Sequence, residues 1–181
     1  MGQNGNGSAG IAVYITQRNE TALKKAGELN DLLTRSRYEG KMHFGRNLDA
    51  ITRLVAYFDK EFGEHLRLEE EVIYPYLEKH VPKSRSPLAF LRGEHADFRS
   101  RLGEIKSCAA RLGKQKTDSE RSLIFEMLQN TGVYLVYWTR NHLHAENESV
   151  YKMIDNQLLP EEKRELSREV TTYAESLAKR N

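Results

Sequence analysis

Cysteine is almost absent from this sequence, which has a single one, Cys108, among its 181 residues. One thiol cannot form an internal disulfide, and it cannot supply a cysteine-rich zinc or iron–sulfur site. We therefore interpret Cys108 as a small apolar residue buried on a helix. A metal site built on cysteine is excluded.

The sequence also lacks an excess of charge and a long apolar run. Its formal net charge is only +2, and no basic cluster indicates a nucleic-acid surface. No apolar run approaches the roughly 20 residues that a helix needs to span a bilayer. The polar, glycine-rich start, MGQNGNGSAG, has neither the basic nor the apolar region of a secretory signal. We therefore expect a cytoplasmic protein that binds neither nucleic acid nor membrane.

A regular helical spacing of apolar residues is what the sequence does have. Apolar positions recur in alternating steps of three and four, which is the spacing of helices in a bundle. No alternation typical of strands competes with it. A chain of 181 residues is long enough for one domain with a sizeable core. These patterns predict an all-α fold, an up-down four-helix bundle with an extra C-terminal helix.

The expected organisation follows from where the spacing starts and stops. Residues 1–17 are predicted to be a flexible N-terminal segment, residues 18–157 the four-helix bundle, and residues 158–181 a C-terminal helix packed on it. The first helix should begin near residue 18, and the second should cover about 46–80. Pro160, followed by two glutamates, marks the start of the last helix.

Five ionisable residues stand where the bundle spacing requires apolar ones. They are His65 and Glu69 on the second helix, His95 on the third, and His142 and Glu146 on the fourth. A spacing of four places each histidine and its glutamate on one helix face. A carboxylate is costly to bury unless it is paired or binds a metal. Imidazole and carboxylate ligands suit non-haem iron, and di-iron bundles project such ligands inward from facing helices. We therefore predict an iron site with one or two Fe per chain.

Either histidine–glutamate pair alone would be weak support, because such pairs are common on exposed helix surfaces. Two pairs on different helices, together with a histidine on a third, favour the metal site. Counting residues from the turn between the second and third helices makes the levels of His65 and His95 only roughly compatible.

Three stretches of the sequence carry a resemblance to a known family. They are HLRLEEEVIYPYLEKH at 65–80, GEHADF at 93–98 and HLHAENESVY at 142–151. Together they resemble the hemerythrin, or HHE cation-binding, family over about residues 18–157. In that family the histidine–glutamate unit is followed by an aromatic residue, here Tyr74 and Tyr151, and often by a proline, here Pro75.

The resemblance implies a non-haem di-iron centre in which the histidines are terminal ligands and Glu69 and Glu146 bridge the two metals. It also implies a function in binding or sensing a small diatomic ligand such as oxygen or nitric oxide, in handling iron, or in iron–sulfur repair.

Two family positions differ in this chain. Oxygen-carrying hemerythrins have a second histidine on the third helix, where this sequence has Arg99. The family also has a histidine on the first helix, and residues 1–42 of this sequence contain none. Asn19, Glu20, His43 or no residue could take that role. His43 is disfavoured, since a continuous helix would place it roughly 33 Å from His65. The second iron would then be under-coordinated, bound by solvent or absent.

Other polar and aromatic residues near the site have two interpretations. Glu61 and Glu94 could orient ligands or move protons, but solvated helix charges are favoured. His80 and His144 are expected at the surface. The following aromatic residues could line the site or simply fill the core: Tyr74, Tyr76, Tyr134, Tyr137, Trp138 and Tyr151.

Two other functions stay open at this point. A di-iron oxidase or peroxidase would need an open iron position and a proton donor such as Glu94 or Glu61. A helical interaction module that has lost its metal would explain the missing first-helix histidine.

Overall fold

The computed structural model describes residues 6–38, 44–114 and 117–179, and these ranges contain helices and no strand. Helix α1 spans Asn6–Tyr38. Helix α2 covers residues 44–80, and a short 3₁₀ turn at Pro82–Ser84 joins it to α3, Arg85–Leu112. Helix α4 covers residues 118–157, and α5 spans Pro160–Ala178. The predicted all-α fold is confirmed.

The first helix is longer than its sequence suggested. Helix α1 begins at Asn6 and not near residue 18, so residues 6–17 are helical and not a flexible segment. Ile15 is only 2% exposed and belongs to an apolar cluster with residues of α2 and α4. The glycines of the first ten residues misled the prediction, because they lower helix propensity without preventing a helix.

Four helices surround the interior in an up-down order, and the fifth lies against one end. Helix α1 contacts α2 and α4, while α3 contacts α2 and α4 from the opposite side. Helix α5 packs on α1 and on the part of α2 around Glu69–Ile73. In the described ranges, no helix is long and apolar enough to cross a membrane.

Helices α2 and α4 are interrupted by wider, π-helical turns. They lie at Phe58–Phe62 and Glu69–Ile73 in α2 and at Asn147–Tyr151 in α4. Pro75, which cannot donate the backbone hydrogen bond of a regular helix, comes just after the second of these turns. Turns of this kind often occur at functional sites.

The buried interior has an apolar cluster at each end and ionisable residues between them. The first cluster, towards the α1–α2 connection, includes Phe58, Phe98 and Leu128, together with Cys108. The second cluster, towards the α2–α3 connection, joins α2 and α4 to Leu166 and Val170 of α5. Cys108 is 4% exposed, as its interpretation as a core residue requires.

Candidate metal centre

Three helices each project ionisable side chains into the layer between the apolar clusters. Helix α2 contributes His65 and Glu69, α3 contributes His95, and α4 contributes His142 and Glu146. Each of these residues is at most 1% exposed. The helical faces that the sequence spacing predicted are therefore the faces that point inward.

The five side chains converge. The Nε2 atoms of His95 and His142 lie 3.0 Å apart. Glu69 Oε2 lies 3.6 Å from His95 Nε2, and Glu146 Oε1 lies 3.7 Å from His142 Nε2. One ligand atom from each of these four residues lies within 4.8 Å of the others. His65 Nε2 adjoins this group, 2.9 Å from Glu69 Oε1.

Burial works against charge on the side chains of this site. It raises the pKa of Glu69 to about 7, and burial together with the neighbouring Glu69 raises the pKa of Glu146 to about 8. Burial lowers the pKa of His65 to about 4 and also lowers that of His95. Two carboxylates at such a place are stabilised in their charged form by a cation.

Several ligand atoms of the site lack hydrogen-bond partners among the described residues. They are His65 Nδ1 and the Oε2 atoms of Glu69 and Glu146, together with His65 Nε2, whose 2.9 Å contact with Glu69 Oε1 lacks hydrogen-bond geometry. Buried polar atoms without partners are rare in proteins and call for an explanation. A metal ion bound by these nitrogens and oxygens would satisfy them, and this donor set suits iron. The residues present therefore fit the predicted metal.

Two tyrosines connect the histidine–glutamate units of α2 and α4 crosswise. Tyr74, five residues after Glu69, donates a 2.7 Å hydrogen bond to Glu146 Oε1. Tyr151, five residues after Glu146, donates a 3.2 Å hydrogen bond to Glu69 Oε1. Burial, reinforced by the two carboxylates, raises the pKa of both tyrosines, so both remain hydrogen-bond donors.

The other aromatic candidates lie in three places: at the site, against α5, and at the surface. The indole of Trp138 stacks on the His142 ring at a centroid distance of 4.3 Å. Tyr76 instead donates hydrogen bonds to the Glu162 carbonyl and the Glu165 carboxylate of α5. Tyr134 and Tyr137 are 43% and 58% exposed, so they do not line the site.

Two further carboxylates contact the Nδ1 atoms of His95 and His142. Glu70 Oε1 lies 2.8 Å from His95 Nδ1, and Glu94 Oε2 lies 2.9 Å from His142 Nδ1. The favoured interpretation of Glu94 as a solvated helix charge is thus wrong, while Glu61 is exposed as expected. Sequence reasoning missed Glu70, because nothing in the run of glutamates at 69–71 shows which one faces α3.

Arg99 lies at the far side of Glu70 and donates to both of its carboxylate oxygens, at 3.0 and 2.8 Å. Burial alone would raise the pKa of Glu70, but the hydrogen bonds from His95 and Arg99 outweigh it and lower this pKa to about 2. The residue at the position of the family's second histidine on this helix therefore pairs with a carboxylate that contacts a predicted ligand.

The candidates for a first-helix ligand lie in different environments. Asn19 is 5% exposed and close enough to the Tyr151 hydroxyl to influence its pKa. Glu20 is exposed. His43 falls outside the described residues. Of the two α1 candidates, the structure thus brings only Asn19 near the site.

The remaining histidines lie away from the site. His80 Nδ1 is 2.8 Å from Glu162 Oε1 of α5, and its side chain is partly buried. His144 is exposed, as predicted.

A cleft between α1 and α2 lies beside His65. Its volume is about 330 Å³. The Arg18 guanidinium spans it, donating to the Tyr14 hydroxyl at 2.6 Å and to the Glu61 carbonyl at 3.1 Å. His65 forms part of its wall, together with Tyr14, Gln17, Arg18, Thr21, Tyr57, Glu61, Phe62 and Glu64.

A four-helix bundle that buries three histidines and two glutamates at one place belongs to the metal-binding class of such bundles. Comparison with known protein families identifies the family within this class. The hemerythrin HHE cation-binding domain matches residues 13–154, and the chain belongs to this family. The match ends within α4, so α5 lies outside it. No curated protein matches the chain at a significant level.

Proposed function

We propose that this chain binds iron through His65, Glu69, His95, His142 and Glu146, and that a small diatomic ligand such as oxygen or nitric oxide reaches that iron. The observation that carries the proposal is the convergence of these five buried side chains: four of them offer ligand atoms within 4.8 Å of one another, and His65 Nε2 lies 2.9 Å from Glu69 Oε1. Membership of the HHE cation-binding family supports the same function.

The position of Glu69 supports a site for two metals. Its Oε1 atom lies 2.9 Å from His65 Nε2, and its Oε2 atom lies 3.6 Å from His95 Nε2. A carboxylate between two imidazoles is placed to bridge. Bound iron would supply exchangeable coordination positions and one-electron chemistry.

The protein's own residues shape the surroundings of the site. The hydroxyls of Tyr74 and Tyr151 each donate to one oxygen of a site carboxylate, Glu146 and Glu69 respectively, which fixes the orientation of both carboxylates. Burial of all five predicted ligands limits contact with bulk water. The cleft beside His65, with a volume of about 330 Å³, has room for a diatomic molecule next to this predicted ligand. A cytoplasmic location stays a prediction.

Elemental analysis of the purified, iron-reconstituted chain tests the proposal. Wild type should hold one or two Fe per chain, as expected for a carboxylate-bridged bundle site, and Glu69→Ala should lose most of it. Glu71→Ala is the matched control, because Glu71 is an exposed carboxylate two residues further along the same helix. Iron retained by Glu69→Ala would contradict the ligand assignment, and a wild type that takes up no iron would favour the metal-free interaction module.

Spectroscopy of the loaded protein then separates the possible functions. Reversible changes in visible absorption on adding oxygen or nitric oxide are expected for a carrier or sensor. Sustained turnover of peroxide without reversible binding would instead support the oxidase or peroxidase alternative.

A further inference from the structure

The three site histidines differ in what contacts their Nδ1 atoms. His95 of α3 is contacted by Glu70 of α2, and His142 of α4 is contacted by Glu94 of α3. In both cases the carboxylate comes from the preceding helix. His65 of α2 has no such partner among the described residues, and its Nδ1 is unpaired.

We propose that Glu70 and Glu94 are positioning residues that hold His95 and His142 with their Nε2 atoms directed at the metal, and that Arg99 acts through Glu70. The proposal rests on the proposed iron site.

The physical reason is the two-sided chemistry of imidazole. When the Nδ1 hydrogen is donated to a carboxylate, the proton is fixed on that nitrogen and the lone pair of Nε2 is free to bind a metal. The same hydrogen bond fixes the rotation of the ring. In the structure the two Nε2 atoms face each other in the interior, 3.0 Å apart.

Arg99 restrains Glu70 from the other side. Its two hydrogen bonds to Glu70 are of the forked kind that fixes a carboxylate in orientation as well as in place. Glu70 Oε1 accepts from both Arg99 and His95, so the three side chains form one connected unit. The Arg99 side chain is 41% exposed and has no direct contact with the ligand cluster among the described interactions.

A second ion pair provides a control for a purely structural role. Asp59 of α2 and Lys106 of α3 lie 2.7 Å apart and connect the same two helices without a histidine. If pairs between α2 and α3 only hold helices together, then breaking either pair should have the same effect on metal binding.

Competition for Fe²⁺ with a chelator, under anaerobic conditions, measures the effect. Glu70→Ala and Glu94→Ala should each weaken iron binding about 10–100-fold, the usual effect of losing such a partner. Glu70→Gln and Glu94→Gln should fall between wild type and alanine, because the amide oxygen still accepts the Nδ1 hydrogen. Asp59→Asn should bind as wild type does.

A double-mutant cycle tests the role of Arg99. Arg99→Leu should weaken iron binding less than Glu70→Ala, and adding it to Glu70→Ala should cause no further loss. Additive losses would show that Arg99 does not act through Glu70.

Two further measurements separate positioning from folding. Metal-free Glu70→Ala should keep the helical circular-dichroism spectrum of wild type, although its melting temperature should fall below that of metal-free Asp59→Asn because the buried His95 Nδ1 loses its partner. The absorption spectrum of its iron-loaded form should differ from wild type. Wild-type affinity in both alanine variants would overturn this proposal while leaving the proposed function intact. Failure of wild type to bind iron would overturn the proposed function itself. If an alanine variant does not fold, the nearly isosteric glutamine variants take its place in the test. Wild-type iron affinity in both glutamine variants and in Arg99→Leu would then overturn the proposal.

Discussion

The interior of this bundle is filled in two different ways along its length. Towards the α1–α2 connection, the rings of Phe58, Phe62 and Phe98 meet edge to face and exclude polar groups. One to three turns further along α2, His65 and Glu69 begin the ionisable layer. Apolar contacts are non-directional and complete within the protein. The side chains of the ionisable layer need hydrogen-bond or metal partners in particular directions. Several of their atoms have no hydrogen-bond partner among the described residues. Stability and function should therefore respond to different substitutions.

The largest expected effect tests the apolar side of this comparison. Phe58→Ala should lower the free energy of unfolding by about 3–5 kcal/mol, because it removes a fully buried ring from a packed cluster. Chemical denaturation measures the loss. The folded fraction should still bind iron with wild-type stoichiometry, and a loss of less than about 1 kcal/mol would show that the apolar cluster is not tightly packed.

A smaller effect is expected when the ionisable layer receives its metal. Iron at a hundred times its dissociation constant should raise the free energy of unfolding by about 2.7 kcal/mol, and Glu146→Gln should abolish this gain. Metal-free Glu146→Gln should be at least as stable as metal-free wild type, because a buried carboxyl with a strongly raised pKa is removed. A marked destabilisation of the metal-free variant would contradict the contrast between the two layers.

The smallest effect is a dependence of the metal-free protein on pH. The pKa of Glu69 is raised to about 7 and that of Glu146 to about 8. The folded state therefore holds protons that the unfolded state has already released, and its stability should fall as the pH rises from about 6.5 to about 8, by on the order of 1 kcal/mol. His65, whose pKa is lowered to about 4, stays neutral in this window.

Thermal unfolding over this pH range checks the expectation. The double variant Glu69→Gln with Glu146→Gln should give a flatter profile, and iron-loaded wild type should resist the decline. A metal-free wild type that becomes more stable across the window would show that the two carboxyls are not held protonated.

The fold and the meeting of the five side chains were readable from the sequence for a simple reason. Apolar steps of three and four define a helix face, and His65 or Glu146 on such a face must point inward. That these residues bind metal stays a prediction. Contacts between helices were not readable in the same way. The pairing of Glu70 with His95 depends on how α2 and α3 pack, which no spacing within one helix reveals.

The wider turns were a second obstacle. Counting along a regular helix places residue i+4 above residue i. Tyr74 instead directly follows one π-helical turn and Tyr151 ends another, and each lies five residues after a glutamate. From the sequence alone, hydrogen bonding of these tyrosines to the carboxylates could not be distinguished from simple packing in the core. The long α1 was missed because its first residues lack an apolar pattern.

The wider turn at Asn147–Tyr151 determines how this segment responds to a change in its length. Such a turn contains one residue more than a regular helical turn, so deleting a single codon there would return α4 to regular geometry and leave the residues that follow close to their present orientation. The tyrosine would then stand four residues after Glu146, on the same helix face. Homologous sequences that keep the crosswise tyrosines should accordingly place them five residues after the glutamate where the wider turn is present and four where it is absent.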